Sequence, residues 1–222
     1  MDFIRTHKYI LLLLYWPVYL IGFFTIDRLP LSHYVIVCGL DRLIPFNEYM
    51  VIPYALWFFW FPGWVFLFLW MSLKGASGEK RLAAEDFVKL ALVMFSSMTL
   101  SLITYLVWPN AVDLREPIGR TNLCARAVEL IREADTPYGV CPSIHIATII
   151  TELLVIRDSA QKILTPTVKI YSYIITALIT WSTMAIKQHS IVDVAAGGLL
   201  AWILYIFYTK YVKEKAERLL ID

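Results

Sequence analysis

Long apolar stretches constrain this chain more than any other feature of its sequence. A helix needs about 20 mostly apolar residues to cross the roughly 30 Å hydrocarbon core of a bilayer. Six stretches approach or reach that length: Tyr9–Ile26, Val51–Leu73, Phe87–Trp108, Ser143–Ile156, Val168–Ile186 and Ser190–Tyr211. We therefore predict an all-α, polytopic membrane protein, in which six transmembrane helices form one bundle within a single domain, residues 1–222.

The composition agrees with a membrane protein and excludes other classes. Hydrophobic residues make up 59% of the chain and charged residues 17%, whereas an ordinary soluble domain has about 45–50% and about 25%. The formal net charge is only +2, and a nucleic-acid-binding protein would need a concentrated basic face. The bilayer is therefore the expected partner, and nucleic acid is not.

The distribution of Lys and Arg predicts an orientation. By the predicted spans, 13 of the 20 basic residues fall on the side that holds both chain ends. Cytoplasmic loops carry the excess of Lys and Arg, so we expect both termini in the cytoplasm. The long connection formed by residues 109–142 then lies on the extracytoplasmic face. Within it, Asn122–Ala134 has the apolar spacing of a short amphipathic helix.

Two further patterns bear on packing. Gly197 and Gly198 in the sixth stretch are expected to allow close approach of a neighbouring helix. All three cysteines fall on the predicted outer side, where a Cys124–Cys141 disulfide is allowed. Free thiols are the favoured interpretation, since nothing in the spacing fixes a disulfide geometry.

A few ionisable side chains are out of place in so apolar a chain. His145 begins the fourth stretch, and His189 and Asp193 begin the sixth. Ionisable residues in or beside spans are costly and usually face a cavity. Because His189 and Asp193 are four residues apart, they share a helix face. The carboxylate can then fix the imidazole tautomer and leave the other ring nitrogen free to attack a substrate.

The surroundings of the two histidines predict a phosphate site. Ser143 can cap the helix that begins before His145, so that the backbone at Ser143 and Ile144 and the positive end of the helix dipole attract phosphate. Arg115, Arg120 and Lys187 can supply positive charge to phosphoryl oxygens. Glu152 and Thr148 lie deeper on the face of His145, where Glu152 either orients His145, reads a headgroup or bonds a neighbouring helix as a neutral acid.

These residues resemble the signature motifs of the type 2 phosphatidic acid phosphatase superfamily. Pro142-Ser143-Ile144-His145 is similar to the second motif and His189-Ser190-Ile191-Val192-Asp193 to the third, while Arg115-Glu116-Pro117 approximates the Arg-Pro end of the first. The motif order and the six-span layout also match, so that the resemblance covers most of the chain. Ile144 stands where the family has Gly, and Thr183 where it has Arg, for which Lys187 is a candidate substitute.

The resemblance implies a metal-independent and cofactor-independent phosphohistidine mechanism on a lipid phosphate. His189 would be the nucleophile and Asp193 its orienting partner. His145 would act as the general acid, and Arg115 would bind phosphate. Water would then hydrolyse the phosphohistidine, which makes the protein a lipid phosphate phosphatase acting on a phosphomonoester or diphosphate.

Two alternatives remain open at this stage. In a phosphotransferase of the same superfamily, an alcohol would take the phosphoryl group and make a sphingolipid or phospholipid headgroup. A non-catalytic lipid-binding or transport relative is the other alternative. The sequence identifies neither the lipid nor the oligomeric state.

Overall fold

The described chain is helical almost throughout. This computed structural model describes residues 7–31 and 33–218, with no side-chain description at positions 77 and 218. The helices are α1 (Tyr15–Asp27), α2 (Val51–Lys74), α3 (Ser77–Val107), α4 (Leu123–Ala134), α5 (Ile144–Asp158), α6 (Pro166–Ala185), α7 (Ile191–Phe207) and α8 (Lys213–Arg218). The predicted all-α class is therefore confirmed, whereas the ends of the predicted 1–222 domain lie outside the described residues.

Short elements complete the chain. A 3-10 helix, Lys8–Leu14, leads into α1, and a π-helical turn, Tyr208–Val212, joins α7 to α8. Two more 3-10 helices, Gly39–Leu43 and Glu48–Met50, lie between α1 and α2. The strands β1 (Tyr34–Val35) and β2 (Asn110–Ala111) form one short parallel pair.

Four helical segments in the described part are long and apolar enough to cross a membrane. They are Lys8–Asp27, Glu48–Lys74, Gly78–Val107 and Ile191–Glu217. Large apolar side chains on their outer faces are exposed, as with Phe59 at 76% and Val107 at 78%, which suits lipid contact. These segments support a membrane protein with several spans.

The remaining two predicted spans are α5 and α6. The 15 residues of α5 extend over only about 22 Å at 1.5 Å per residue. The 20-residue α6 carries the buried hydroxyl side chains of Ser172, Thr176, Ser182 and Thr183. The count of six spans and the orientation in the bilayer stay predictions.

The ends of the helices alternate between the two ends of the bundle. Hydrogen bonds join Tyr54 near the start of α2 to His145 in α5, and Tyr105 near the end of α3 to the carbonyl of Pro142. The carbonyl of Ala185, the last residue of α6, accepts from the amide of Asn47. We call this the site end of the bundle; α2, α5 and α7 begin there, and α3 and α6 end there.

Some boundaries differ from the prediction. Helix α3 begins at Ser77, ten residues before the predicted third span, because its first turns carry charged side chains that hydropathy excludes, including the Arg81–Glu85 ion pair. The amphipathic helix is confirmed as α4, with the side chain of Asn122 accepting a hydrogen bond from the amide of Ala125. The three cysteines are free thiols.

The first turns of α5 and α7 approach closely. The amide of Ser143 donates to the carbonyl of Asp193 over 3.1 Å. A Cβ atom added to Gly197 would lie 2.5 Å from the carbonyl oxygen of Ser143 and 3.2 Å from its amide nitrogen. The predicted role of Gly197 in close packing is thus confirmed, whereas Gly198 meets only Ile146 at 3.9 Å.

This difference yields a prediction about stability. Gly197→Ala forces the starts of α5 and α7 apart and should lower the free energy of unfolding by about 1–3 kcal/mol, as overpacked sites do. Gly198→Ala is the matched control and should be neutral or stabilising, because alanine favours helix. Thermal unfolding in detergent measures both; equal effects of the two substitutions would contradict the close contact.

Candidate active site

The two predicted histidines meet at the site end of the bundle. His145 follows Ile144 in the first turn of α5, and His189 lies two residues before α7. The Nδ1 atom of His145 is 3.1 Å from the Nε2 atom of His189. The structure therefore brings together two side chains that are 44 residues apart in the chain.

Asp193 lies against the other side of the His189 ring. Its Oδ2 atom is 3.4 Å from Nδ1 of His189 and accepts a hydrogen bond of 2.8 Å from the amide of Ser190. The second contact completes a capping box at the start of α7. The helix start holds the carboxylate beside Nδ1 of His189, which has no hydrogen-bond partner among the described residues. A small rotation of the ring would let Asp193 accept the Nδ1 proton and leave Nε2 as the nucleophilic nitrogen.

Tyr54 and Trp57 of α2 hold the other histidine and were not expected from the sequence. The Tyr54 hydroxyl is 3.0 Å from Nε2 of His145, and the Trp57 ring lies 4.4 Å from the His145 ring between centroids. Both ring nitrogens of His145 thus have a hydrogen-bonding neighbour. No local pattern in the second apolar stretch distinguishes these two aromatic residues from the others there.

A cavity of about 390 Å³ leads up to the histidine pair. Its walls are mainly apolar and aromatic side chains from α1, α2 and α3. Its polar lining at the site end is Asp135, His145, Gln188 and His189. Such a site combines an apolar compartment with a few convergent polar groups, as ligand sites commonly do.

Asp135 is a site residue that sequence reasoning missed. It follows α4 and lines the cavity, and its carboxylate has no hydrogen bond or ion pair among the described residues. Burial raises the pKa of Asp135, an effect that His189 and Arg115 partly oppose. The one feature of the sequence that could have pointed to Asp135 is its place in the charged outer segment.

Arg115 lies behind the cavity wall and does not line the cavity. Its guanidinium donates to the carbonyl oxygens of Asp135 over 2.8 Å and Thr136 over 3.1 Å. It also donates to the side-chain oxygen of Gln188. Arg115 is therefore next to the predicted site, but it is joined to protein oxygens in this structure.

The two other predicted cationic residues point elsewhere. The Lys187 amine donates to the carbonyls of Asp41 over 2.9 Å and Ile44 over 2.5 Å. Arg120 forms an ion pair with Glu48. The structure does not bring either cation to the histidine pair, because buried oxygens of the α1–α2 connection compete for them.

The remaining predicted residues lie along α5. Ser143 is fully buried and caps the helix through the amide of Ile146, and Ile144 lines the cavity. Thr148 accepts from the Trp57 indole and donates to the His145 carbonyl. Glu152 is buried with no hydrogen-bond partner for either carboxyl oxygen. It therefore neither bonds His145 nor bonds a neighbouring helix.

Asp41 fixes the turn that carries His189. Its carboxylate accepts from the Ser190 hydroxyl and from the Ile191 amide, both over 2.8 Å, and from the Cys38 amide over 2.6 Å. Two carboxylates, Asp41 and Asp193, thus occupy the amide groups at the start of α7. The positive end of the α7 dipole is therefore neutralised by these two carboxylates.

No family model, curated protein or solved structure matches this chain. Among residues 7–31 and 33–218, no group of His, Cys, Asp and Glu side chains could hold a metal ion. Function is therefore inferred from the geometry of the site.

Asp41 supplies a prediction about pH. Burial raises its pKa, but the hydrogen bonds from Cys38, Ile191 and Ser190 outweigh burial and hold the pKa below the ordinary 3.8. The carboxylate therefore contributes stability that is fully present above pH 3.8 and is lost as the pH falls through its lower folded-state pKa. Asp41→Asn should lower the free energy of unfolding by about 1–3 kcal/mol at neutral pH.

Chemical unfolding in detergent from pH 7 down to pH 3 measures this effect. The gap in stability between the wild type and Asp41→Asn should narrow below pH 3.8. Asp113→Asn, at an exposed carboxylate, is the control and should match the wild type. A gap that stays constant over the whole range would contradict the role of the ionised carboxylate.

Proposed function

We propose that this chain is a membrane enzyme that transfers a phosphoryl group from a lipid through a phosphohistidine formed on His189. The observation that carries the proposal is the contact of 3.1 Å between His145 and His189, with Asp193 on the far side of the His189 ring. This arrangement pairs a nucleophile with an acid, and the nucleophile with an orienting carboxylate.

The contacts suggest how the first step proceeds. The two rings, whose facing nitrogens are 3.1 Å apart in this structure, must separate for the phosphoryl group to enter between them. Nε2 of His189 and Nδ1 of His145 then face opposite sides of it. Nε2 forms the bond to phosphorus as the bond to the leaving oxygen breaks. Because the surroundings of His145 are mainly apolar, it takes up its second proton only when the anionic phosphoryl group lies beside it. It then gives its Nδ1 proton to the leaving oxygen and keeps its Nε2 proton directed at the Tyr54 hydroxyl.

The second step releases the enzyme. A water molecule attacks the phosphohistidine and gives its proton to Nδ1 of His145, which restores the imidazolium. The products are then phosphate and the free lipid alcohol, and the reaction is that of a lipid phosphatase. His145 alone suffices for both proton transfers.

The apolar walls of the cavity support a lipid as substrate. Aromatic side chains of two helices line it: Trp16, Tyr19 and Phe23 of α1, and Phe58 and Phe61 of α2. A water-soluble phosphate ester would gain nothing from these walls, whereas an acyl or isoprenoid chain is stabilised by about 0.8 kcal/mol for each buried CH₂ group.

We further propose six spans, with the site end on the extracytoplasmic face. The excess of basic residues on the opposite side supports this orientation. The shortness of α5 is compatible with a span, because 10 of its 15 residues are buried within the protein. A helix shielded by its neighbours does not need to match the thickness of the hydrocarbon core.

A phosphotransferase is the second candidate, and the charge of the cavity favours it. Among the described residues that line the cavity there is one carboxyl side chain, Asp135, and no Lys or Arg. A phosphomonoester carries up to two negative charges near this carboxylate, whereas a phosphodiester carries one. The attack on the phosphohistidine would then come from the hydroxyl of a second lipid.

The first prediction concerns the nucleophile. His189→Ala should lower turnover of lipid phosphates in detergent by about 10⁴-fold or more, since loss of a covalent nucleophile leaves little catalysis. His33→Ala, at a histidine that does not line the cavity, should retain activity. Wild-type turnover should persist in excess EDTA. Full activity of His189→Ala, with unchanged thermal unfolding, would contradict the mechanism.

The second prediction separates the two reactions. Asp135→Asn removes a negative charge near the bound phosphoryl group, so kcat/KM for a phosphomonoester should rise relative to a phosphodiester by about tenfold, which corresponds to about 1.4 kcal/mol. Asp113→Asn is the exposed control. Analysis of the products with and without an added lipid alcohol then identifies the acceptor of the phosphoryl group. Free phosphate identifies water as the acceptor, and therefore a hydrolase. An unchanged substrate ratio would contradict the role of Asp135.

A further inference from the structure

Gln188 lines the cavity with a side-chain amide that is only partly hydrogen-bonded. It precedes His189, lines the cavity and is only 1% exposed. Its Nε2 atom is buried and has no hydrogen-bond partner. An unpaired buried donor lowers the stability of a fold, so its retention calls for an explanation.

The orientation of the Gln188 amide follows from its neighbour. Arg115 donates a hydrogen bond to Oε1 of Gln188, and a guanidinium has donors only. The opposite orientation would set the NH₂ group of Gln188 against the NH₂ group of Arg115. Since Arg115, which lies outside the cavity lining, holds the oxygen, the Nε2 atom points away from Arg115 and is buried in the wall that Gln188 contributes to the cavity.

The turn that carries Gln188 is held firmly. The amides of Gln188 and His189 both donate to the carbonyl of Thr183, over 2.9 and 3.2 Å. Lys187 adopts a left-handed backbone conformation with φ of 64°, and its amine is fixed by the carbonyls of Asp41 and Ile44. Gln188 and His189 are therefore presented together as a preorganised pair.

We propose that the Nε2 group of Gln188 donates a hydrogen bond to a phosphoryl oxygen of the substrate. Arg115 acts through Gln188 as a positioning residue, because its hydrogen bond fixes the amide and polarises the NH₂ group into a stronger donor. A neutral donor takes the place of a cation in contact with the phosphoryl group. This inference rests on the proposed phosphoryl transfer for its kinetic part, but its binding part stands alone.

Contact with the phosphoryl group and the supply of positive charge fall to two different residues, Gln188 and Arg115. Phosphoryl oxygens gain negative charge as the bond to Nε2 of His189 forms, and donors aimed at that charge stabilise the transition state. Gln188 meets this requirement by its place next to the nucleophile. The Arg115 guanidinium does not line the cavity, and it also donates hydrogen bonds to the carbonyls of Asp135 and Thr136.

The kinetic test is a double-mutant cycle with lipid phosphate in detergent. Gln188→Met keeps the length of the side chain and removes the donor, and it should lower kcat about 10²- to 10³-fold. Arg115→Met should lower kcat as well, and the double variant should lose no more than Gln188→Met alone. Gln161→Met, at a buried glutamine that contacts Asp86 instead, is the matched control and should retain kcat.

The binding test uses hexadecylphosphonate, which cannot transfer its phosphoryl group. The wild type should bind it by isothermal titration in detergent, and Gln188→Met should bind it at least tenfold more weakly, while Gln161→Met should match the wild type. If the wild type turns over no lipid phosphate, the proposed reaction fails, and this measurement alone decides on the Gln188 site.

Two results would overturn the proposed role of Gln188 or the proposed role of Arg115. Wild-type kcat and phosphonate affinity in Gln188→Met would exclude Gln188 as a phosphoryl-binding residue. Additive losses in the double variant would exclude the action of Arg115 through Gln188. If thermal unfolding shows that Gln188→Met does not fold, Gln188→Asn, which withdraws the same amide by one methylene, should show the same loss, and an undiminished kcat there would overturn the proposal.

Discussion

The contact between the first turns of α5 and α7 sets the geometry on which the site depends. The absence of a side chain at Gly197 lets the backbone of Ser143 approach, and the Ser143 amide then bonds the Asp193 carbonyl. Because His145 follows Ser143 closely and His189 precedes Asp193 closely, this contact also brings the two imidazole rings together. A shift of either helix start would change the 3.1 Å separation of their nitrogens.

Connections at the site end hold this geometry from outside the bundle. Asp41 caps α7 and accepts a hydrogen bond from the Ser190 hydroxyl. Arg115 donates hydrogen bonds to the carbonyls that follow α4 and to the side chain of Gln188. The two acidic groups at the start of α7 neutralise the dipole of that helix. In the reaction that we propose, the phosphoryl group is recognised by the Gln188 amide and the two imidazoles at the end of an apolar cavity. Among the described residues that line this cavity there is no Lys or Arg.

Local spacing in the sequence predicted part of this site, and long-range packing decided the rest. The four-residue spacing of His189 and Asp193 and the Ser143 cap depend on neighbouring residues of one helix, so the sequence reveals them. Tyr54, Asp41 and Asp135 come from distant segments, and no periodicity marks them. Their positive charge makes Lys187 and Arg120 candidates for binding phosphate, but charge alone does not tell where a side chain points. Both side chains bind oxygens of the α1–α2 connection instead. The all-α class followed from hydropathy, whereas the charged start of α3 and the short α5 show why hydropathy alone does not fix the number of spans.

The most direct test of the account is to trap the covalent intermediate. The purified protein is mixed briefly with a lipid ester carrying radiolabelled phosphorus, quenched in alkali and digested. We expect an alkali-stable, acid-labile phosphate on the peptide that contains His189, with the label absent from His189→Ala and retained in His33→Ala. Product formation by the wild type with no label on that peptide under any quench time would contradict a phosphohistidine mechanism.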